Sequence, residues 1–172
     1  LEFPGLKNAD ILIRSDADSY KKYHVSDLIP DSFGPEDLDV HEPVLNKNRR
    51  NFEQRHAFDL KNKIEKEAFS AADKCYAPYS KNYSGICIKT SNGNYIQGRY
   101  IENAAYNPSI TPLISALNML NLTLGSESFR EITDIQLVEK SGTVSQRPLT
   151  EFLCSALNMK TLKHFEMEPE IG

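Results

Sequence analysis

Apolar residues recur at Leu60, Ile64, Ala68, Ala71 and Ala72, a helical spacing that starts near Asp59 and stops before Pro78. The period then changes. Ile86 and Ile88 alternate within Ser84 to Thr90, Asn92-Gly93 is a strong short-range hairpin signal, and Tyr95 to Ile101 resumes an extended pattern, so a β-hairpin is predicted. Asn107-Pro108 ends it. Ser109 offers a cap for a second helix, packed on the hairpin sheet, whose apolar stripe is Ile110, Leu113, Ile114, Leu117 and Leu120. Ile132 to Glu139 alternates as a third strand. A third helix places Leu149, Phe152, Leu153, Ala156 and Leu157 on one stripe, and Leu162 to Met167 forms a last strand. The order αββαβαβ predicts an α/β fold in α-β-α layers: a mixed β-sheet flanked by helices, with its later strands joined through helical crossovers.

This compact part begins near His56. Ahead of it, Leu1-Glu2-Phe3 resembles the end of a helix stopped by Pro4-Gly5. Ala9 to Arg14 predicts a short strand buried on both faces; with no partner nearby in sequence, it needs a sheet to join. Asp16 to Asp27 is polar and periodic, which predicts a short surface helix, and Leu28 to Pro35 is rich in turn residues. From Asp39 to about Phe52 the chain is polar and is expected to be a linker.

Composition narrows the class. With 172 residues, 40% hydrophobic and 26% charged, the chain is a folded globular protein with room for one good core. Its net charge of −4, with only a short basic run from Lys47 to Arg50, argues against a nucleic-acid partner. No apolar stretch approaches the ~20 residues that span a bilayer, and no leader pattern opens the chain, so a soluble, cytoplasmic protein without a membrane partner is expected. Cys75, Cys87 and Cys154 are odd in number and widely spaced, which suggests buried free thiols. His24, His41, His56 and His164 show no ligand spacing, so they are expected to be surface groups and no metal is expected in this chain.

Cys75-Tyr76-Ala77-Pro78-Tyr79-Ser80-Lys81, Ser84-Gly85, the Asn92-Gly93 turn and Glu102-Asn103-Ala104-Ala105-Tyr106 together resemble the cytidine deaminase family. In that family a Tyr-x-Pro-Tyr-Ser-Lys stretch ends a helix, a hairpin follows, and a Glu-Asn-Ala-(Ser/Ala)-Tyr stretch leads into the zinc-binding helix. Hydrolytic deamination needs a metal that lowers the pKa of water and a carboxylic acid that shuttles protons. Zinc deaminases draw both from (His/Cys)-x-Glu and Pro-Cys-x-x-Cys. The resemblance puts Thr111 at the first ligand and Leu113 at the glutamate, and the third helix offers only Cys154. It therefore implies a chain with no catalytic residue and no cofactor of its own.

Asn82 and Tyr100 stand where catalytic copies have a Phe and an Asn, so of the ribose-binding pair only Glu102 survives. Ser84-Gly85, Tyr100, and Asn107-Pro108 with Pro112 resemble the non-catalytic C-terminal domain of the long, two-domain bacterial and plant-type enzymes. Leu28 to Leu38, with its Phe33-Gly34-Pro35, resembles their interdomain linker. The resemblance implies that residues 1–14 are a remnant of an upstream catalytic domain, 15–55 a linker arm and 56–172 the degenerate domain. It also implies a homodimer acting on cytidine or deoxycytidine through zinc held upstream, with Asn103, Ala104, Ala105 and Tyr106 closing a partner subunit's pocket. For Tyr106 the competing reading is a core tyrosine packed on the second helix. For Glu102 the alternatives are a structural carboxylate, bonded to backbone N–H groups or to an arginine such as Arg99, and a vestigial site. An unrecognised hydrolase or nucleoside-binding regulatory site around Glu102 is the alternative function.

Overall fold

The computed structural model describes residues 2–3, 5–16, 18–41, 44, 60–141, 144–159 and 162–167. Most of the expected linker from Asp39 to Phe52, and the boundary near His56, lie outside them. The chain divides into two compact units, Leu1–Asn46 with Asn103–Pro108, and Lys47–Glu102 with Ser109–Gly172.

In the first unit, β1 (Asp10–Asp16) pairs antiparallel with β2 (Ser19–His24), and one turn of helix, α1 (Val25–Leu28), follows. Two expectations are corrected here. Strand β1 finds its partner in the very next segment, which forms a strand where a surface helix was expected, and β1 is largely exposed instead of buried on both faces. The physical cause is the turn. The Ser15 and Ser19 hydroxyls lie 2.7 Å apart and Ser19 Oγ donates to Asp16 Oδ2, so short polar side chains hold a reversal that a helical count of polar residues cannot register. Lys22 closes the far end with an ion pair to Asp10 at 2.7 Å. Glu2 and Phe3 are not helical.

The second unit has the predicted order: α2 (Lys63–Asp73), β3 (Ser84–Thr90), β4 (Tyr95–Arg99), α3 (Pro112–Leu124), β5 (Ile132–Lys140), α4 (Arg147–Ala156) and β6 (Leu162–Met167). The sheet runs β4-β3-β5-β6, antiparallel except for the β5–β6 pair, which is parallel and joined through α4 as parallel pairing requires. Strand β3 is central and buried on both faces. Ile86 and Ile88 pack with Leu113, Ala116 and Leu120 of α3 and Cys154 of α4, while Cys87 packs with Ile64, Ala68 and Ala72 of α2. The three layers are thus set by the alternation of β3. All three cysteines are buried, as expected, and burial pushes the Cys87 thiol up to about 12.

Two glycines allow the layers to approach. A Cβ on Gly85 would fall 2.6 Å from the Ala71 carbonyl carbon and 2.8 Å from the Ala68 oxygen of α2. One on Gly98 would fall 2.6 Å from Ala116 Cβ, so the first turns of α3 rest directly on β4. That contact fixes where α3 begins. The helix starts later than expected: Thr111, in place of Ser109, is its N-cap, and Ile110 lies outside the helix in a bridge to Ile101. Among the described residues no helix is long and apolar enough to cross a membrane.

Candidate functional site

Ile101 and Ile110 exchange backbone hydrogen bonds of 3.0 and 2.8 Å, so the segment between them leaves and re-enters the second unit at one point. At its near end the Glu102 N–H donates to Tyr76 O at 2.8 Å. Its side chain is buried, and Oε2 accepts the N–H groups of Tyr79 and Ser80 at 2.9 and 3.1 Å. The carboxylate thereby ties the Tyr-Ser-Lys turn to the edge of the hairpin. Of the two structural partners expected for Glu102, these bonds are to backbone N–H groups; Arg99 Nη1 donates to Lys74 O at 3.3 Å. These two bonds give the buried side-chain oxygen the partners that burial requires.

Asn103 to Pro108 belong to the first unit. Asn103 Oδ1 accepts the Ala105 N–H at 2.9 Å and its carbonyl accepts the Tyr106 N–H at 2.8 Å, a compact turn stabilised by its own asparagine. Glu2 Oε1 accepts the Ala104 N–H at 2.5 Å. Tyr106 sits at φ 62, in the left-handed region that bulky residues rarely enter, and its side chain is 66% exposed. A core tyrosine is thereby excluded. The structure brings Asn103, Ala104, Ala105 and Tyr106 together as one turn.

At the start of α3, Thr111 Oγ1 faces the Ile114 N–H at 3.4 Å as the cap, and Leu113 is fully buried in the core. Leu113 offers no metal donor, and the Thr111 hydroxyl is a poor zinc ligand. Cys154 lies near the end of α4, packed on the same core, and burial pushes its thiol up. The donor set at these positions does not fit a zinc ion that activates water.

Among the described residues one group of three ligating side chains lies close together: Glu139, His164 and Glu166, with donor atoms within 4.8 Å. It corrects the expectation of surface histidines, because the His164 side chain is only 12% exposed. Glu139 Oε1 faces His164 Nε2 at 2.8 Å and accepts from Ser145 Oγ at 2.5 Å, while Oε2 accepts the Gln146 N–H at 2.7 Å. Gln146 is the N-cap of α4, so Glu139 anchors that helix to β5 and β6. A cation here would have to displace bonds already made. Glu139→Ala is expected to lower stability by about 3 kcal/mol, because three donors lose one acceptor. Urea denaturation checks this, and a loss below ~1 kcal/mol contradicts it. Sequence reasoning missed the group because these residues meet through the parallel β5–β6 register. The one local signal is that His164 and Glu166 alternate on one face of the last strand.

Residues 25–151 match the family described as the cytidine and deoxycytidylate deaminase zinc-binding region. A cytidine deaminase of Pectobacterium carotovorum is 35% identical over 147 residues, 84% of this chain and 47% of that protein. One from Cronobacter sakazakii is 32% identical over 164 residues, 94% of this chain and 53% of that protein. The chain spans about half the length of these curated relatives. Among solved structures, a cytidine deaminase from Burkholderia pseudomallei superposes with a TM-score of 0.50 at 25% identity, covering 63% of this chain and 84% of that one.

Proposed function

The chain belongs to the cytidine deaminase family, and from that premise we propose that it is a non-catalytic, C-terminal-type domain of a longer zinc-dependent cytidine deaminase. In this reading the hydrolysis of cytidine or deoxycytidine takes place in an upstream catalytic domain. This chain supplies assembly surface in a homodimer, and its Asn103 to Tyr106 turn closes a partner subunit's pocket.

The observation that supports the reading is the start of α3, where Thr111 is the cap and Leu113 a core residue; in this reading they stand at the places of ligand and proton carrier. Three further features support it. Glu102, the one ribose-type residue retained, accepts two backbone N–H groups and so has a structural use. Tyr106 presents an amphipathic ring to solvent from a turn held by side-chain and backbone bonds, the arrangement of a residue placed for another surface. The first unit buries one hydrophobic residue among those described, Val25, and leaves Phe3, Leu12, Ile13, Phe33 and Leu38 exposed. So small a core does not support an independent domain, which fits a segment completed by other polypeptide.

In the full-length protein, Tyr106→Ala is expected to raise KM for cytidine about tenfold, equivalent to about 1.4 kcal/mol of binding, without altering bound zinc. Steady-state kinetics with metal analysis checks this. An unchanged KM removes the pocket-closing role.

A further inference from the structure

Strand β6 is an edge strand among those described, and its parallel register sets Glu166 beside Glu139 of β5 while His164, two residues earlier, shares the same face. Glu139 Oε1 accepts from Ser145 Oγ and Oε2 accepts the Gln146 N–H, so toward His164 Nε2, 2.8 Å away, the carboxylate acts as acceptor again. The Nε2–H is thereby fixed. In that tautomer Nδ1 keeps its lone pair, and it faces Glu166 Oε1 across 4.0 Å, too far for a hydrogen bond. The cations nearby are engaged elsewhere: Arg147 pairs with Glu151 at 2.7 Å, Lys163 reaches Asp134 at 3.7 Å, and Lys140 lies over the Tyr83 ring. Two carboxylates thus converge on one imidazole.

We propose that His164 Nδ1 and Glu166 hold a divalent metal ion of the zinc class, with Glu139 as the positioning residue. Zinc takes imidazole nitrogen at about 2.0–2.1 Å and carboxylate oxygen at about 2.0–2.2 Å, so one ion reaches both atoms across the gap. The exposed Glu166 side chain is free to close it further. An imidazole beside a carboxylate selects zinc over magnesium or calcium, which take oxygen ligands. A carboxylate behind the ligating histidine is the usual companion of such a site, because it orients the ring and raises its basicity. A cation at the centre of the group would break the bonds of Glu139, whereas one at Nδ1 breaks none. Glu139 also bonds the N-cap of α4, so the ion joins the edge strand to the start of that helix. With two protein ligands and water in the remaining positions, the affinity is about 10 μM. The site uses neither Thr111, Leu113 nor Cys154, so it and the proposed domain role can each fail alone.

Calorimetric titration of the 172-residue chain with zinc chloride is expected to show binding, with a raised Tm in the metal-bound protein. Magnesium chloride should give no heat. In 15N spectra of the imidazole, the His164 Nδ1 signal should move while Nε2 keeps its proton. Glu166→Gln should weaken binding at least about tenfold and leave the metal-free circular dichroism spectrum and Tm unchanged, since that side chain is 60% exposed. Glu139→Gln should weaken binding about tenfold although no ligand is lost. The absence of bound zinc at about 100 μM overturns the proposal. Binding indifferent to Glu166→Gln overturns it as well, as adventitious capture by other histidines, and coordination through Nε2 overturns the positioning role of Glu139.

Discussion

Gly85→Ala is expected to leave the chain without a cooperative fold, a loss of at least ~4 kcal/mol. The added methyl would sit against backbone, 2.6 Å from the Ala71 carbonyl carbon, so no side-chain rotation relieves it. Only separation of α2 from β3 would, and that opens the cluster of Ile64, Ala68, Ala72, Cys87 and Val138. Urea denaturation followed by circular dichroism checks this, and a broad, early transition is the predicted result. A variant within about 1 kcal/mol of the parent would show that α2 does not rest on β3 as described.

Leu113→Glu, which in the proposed reading puts a proton carrier back, is expected to cost about 4 kcal/mol at neutral pH and to yield no activity. The side chain has no solvent exposure and lies among Ile86, Ala116, Leu117 and Leu120. A carboxylate there is desolvated without a partner, so its pKa in the folded state rises above the unfolded value of about 4.3. The sign follows directly. The unfolded chain releases its proton first, so the penalty is largest above the folded-state pKa and shrinks as pH falls toward about 4.3. Thermal unfolding of parent and variant from acid to neutral pH checks this. A stable variant with a penalty independent of pH would mean that this position opens onto a polar pocket, and the account of a degenerate site would be wrong.

Local signals carried most of the second unit. Asn92-Gly93 marked the hairpin, and Gly93 does take a positive φ of 80. The periods of 2 and 3.6 located each strand and helix because each has one face, or both, on a single core. What depended on partners distant in sequence was not legible. Ile110 matched a helical stripe, but its pairing with Ile101 holds it outside α3 and passes the capping role to Thr111. The segment from Asp16 to Asp27 carried polar periodicity that a helix would also show; side-chain bonds among Ser15, Asp16 and Ser19 made it a hairpin.

The candidate site shows the same division. Residues of the Glu102 to Tyr106 stretch were visible as a motif, and Thr111 and Leu113 could be located beside it. The acceptor role of Glu102 toward Tyr79 and Ser80, and the meeting of Glu139 with His164, depend on register and loop closure. Those are properties of the assembled sheet.

The central proposal is that this chain has no deaminase chemistry of its own, in the reading that puts the cap Thr111 and the core residue Leu113 at the places of zinc ligand and proton carrier. Its most direct test is incubation of the purified chain with cytidine and excess zinc, followed by ultraviolet absorbance for conversion to uridine. The account predicts no conversion above the protein-free rate. Conversion that is abolished by Glu102→Ala would contradict it.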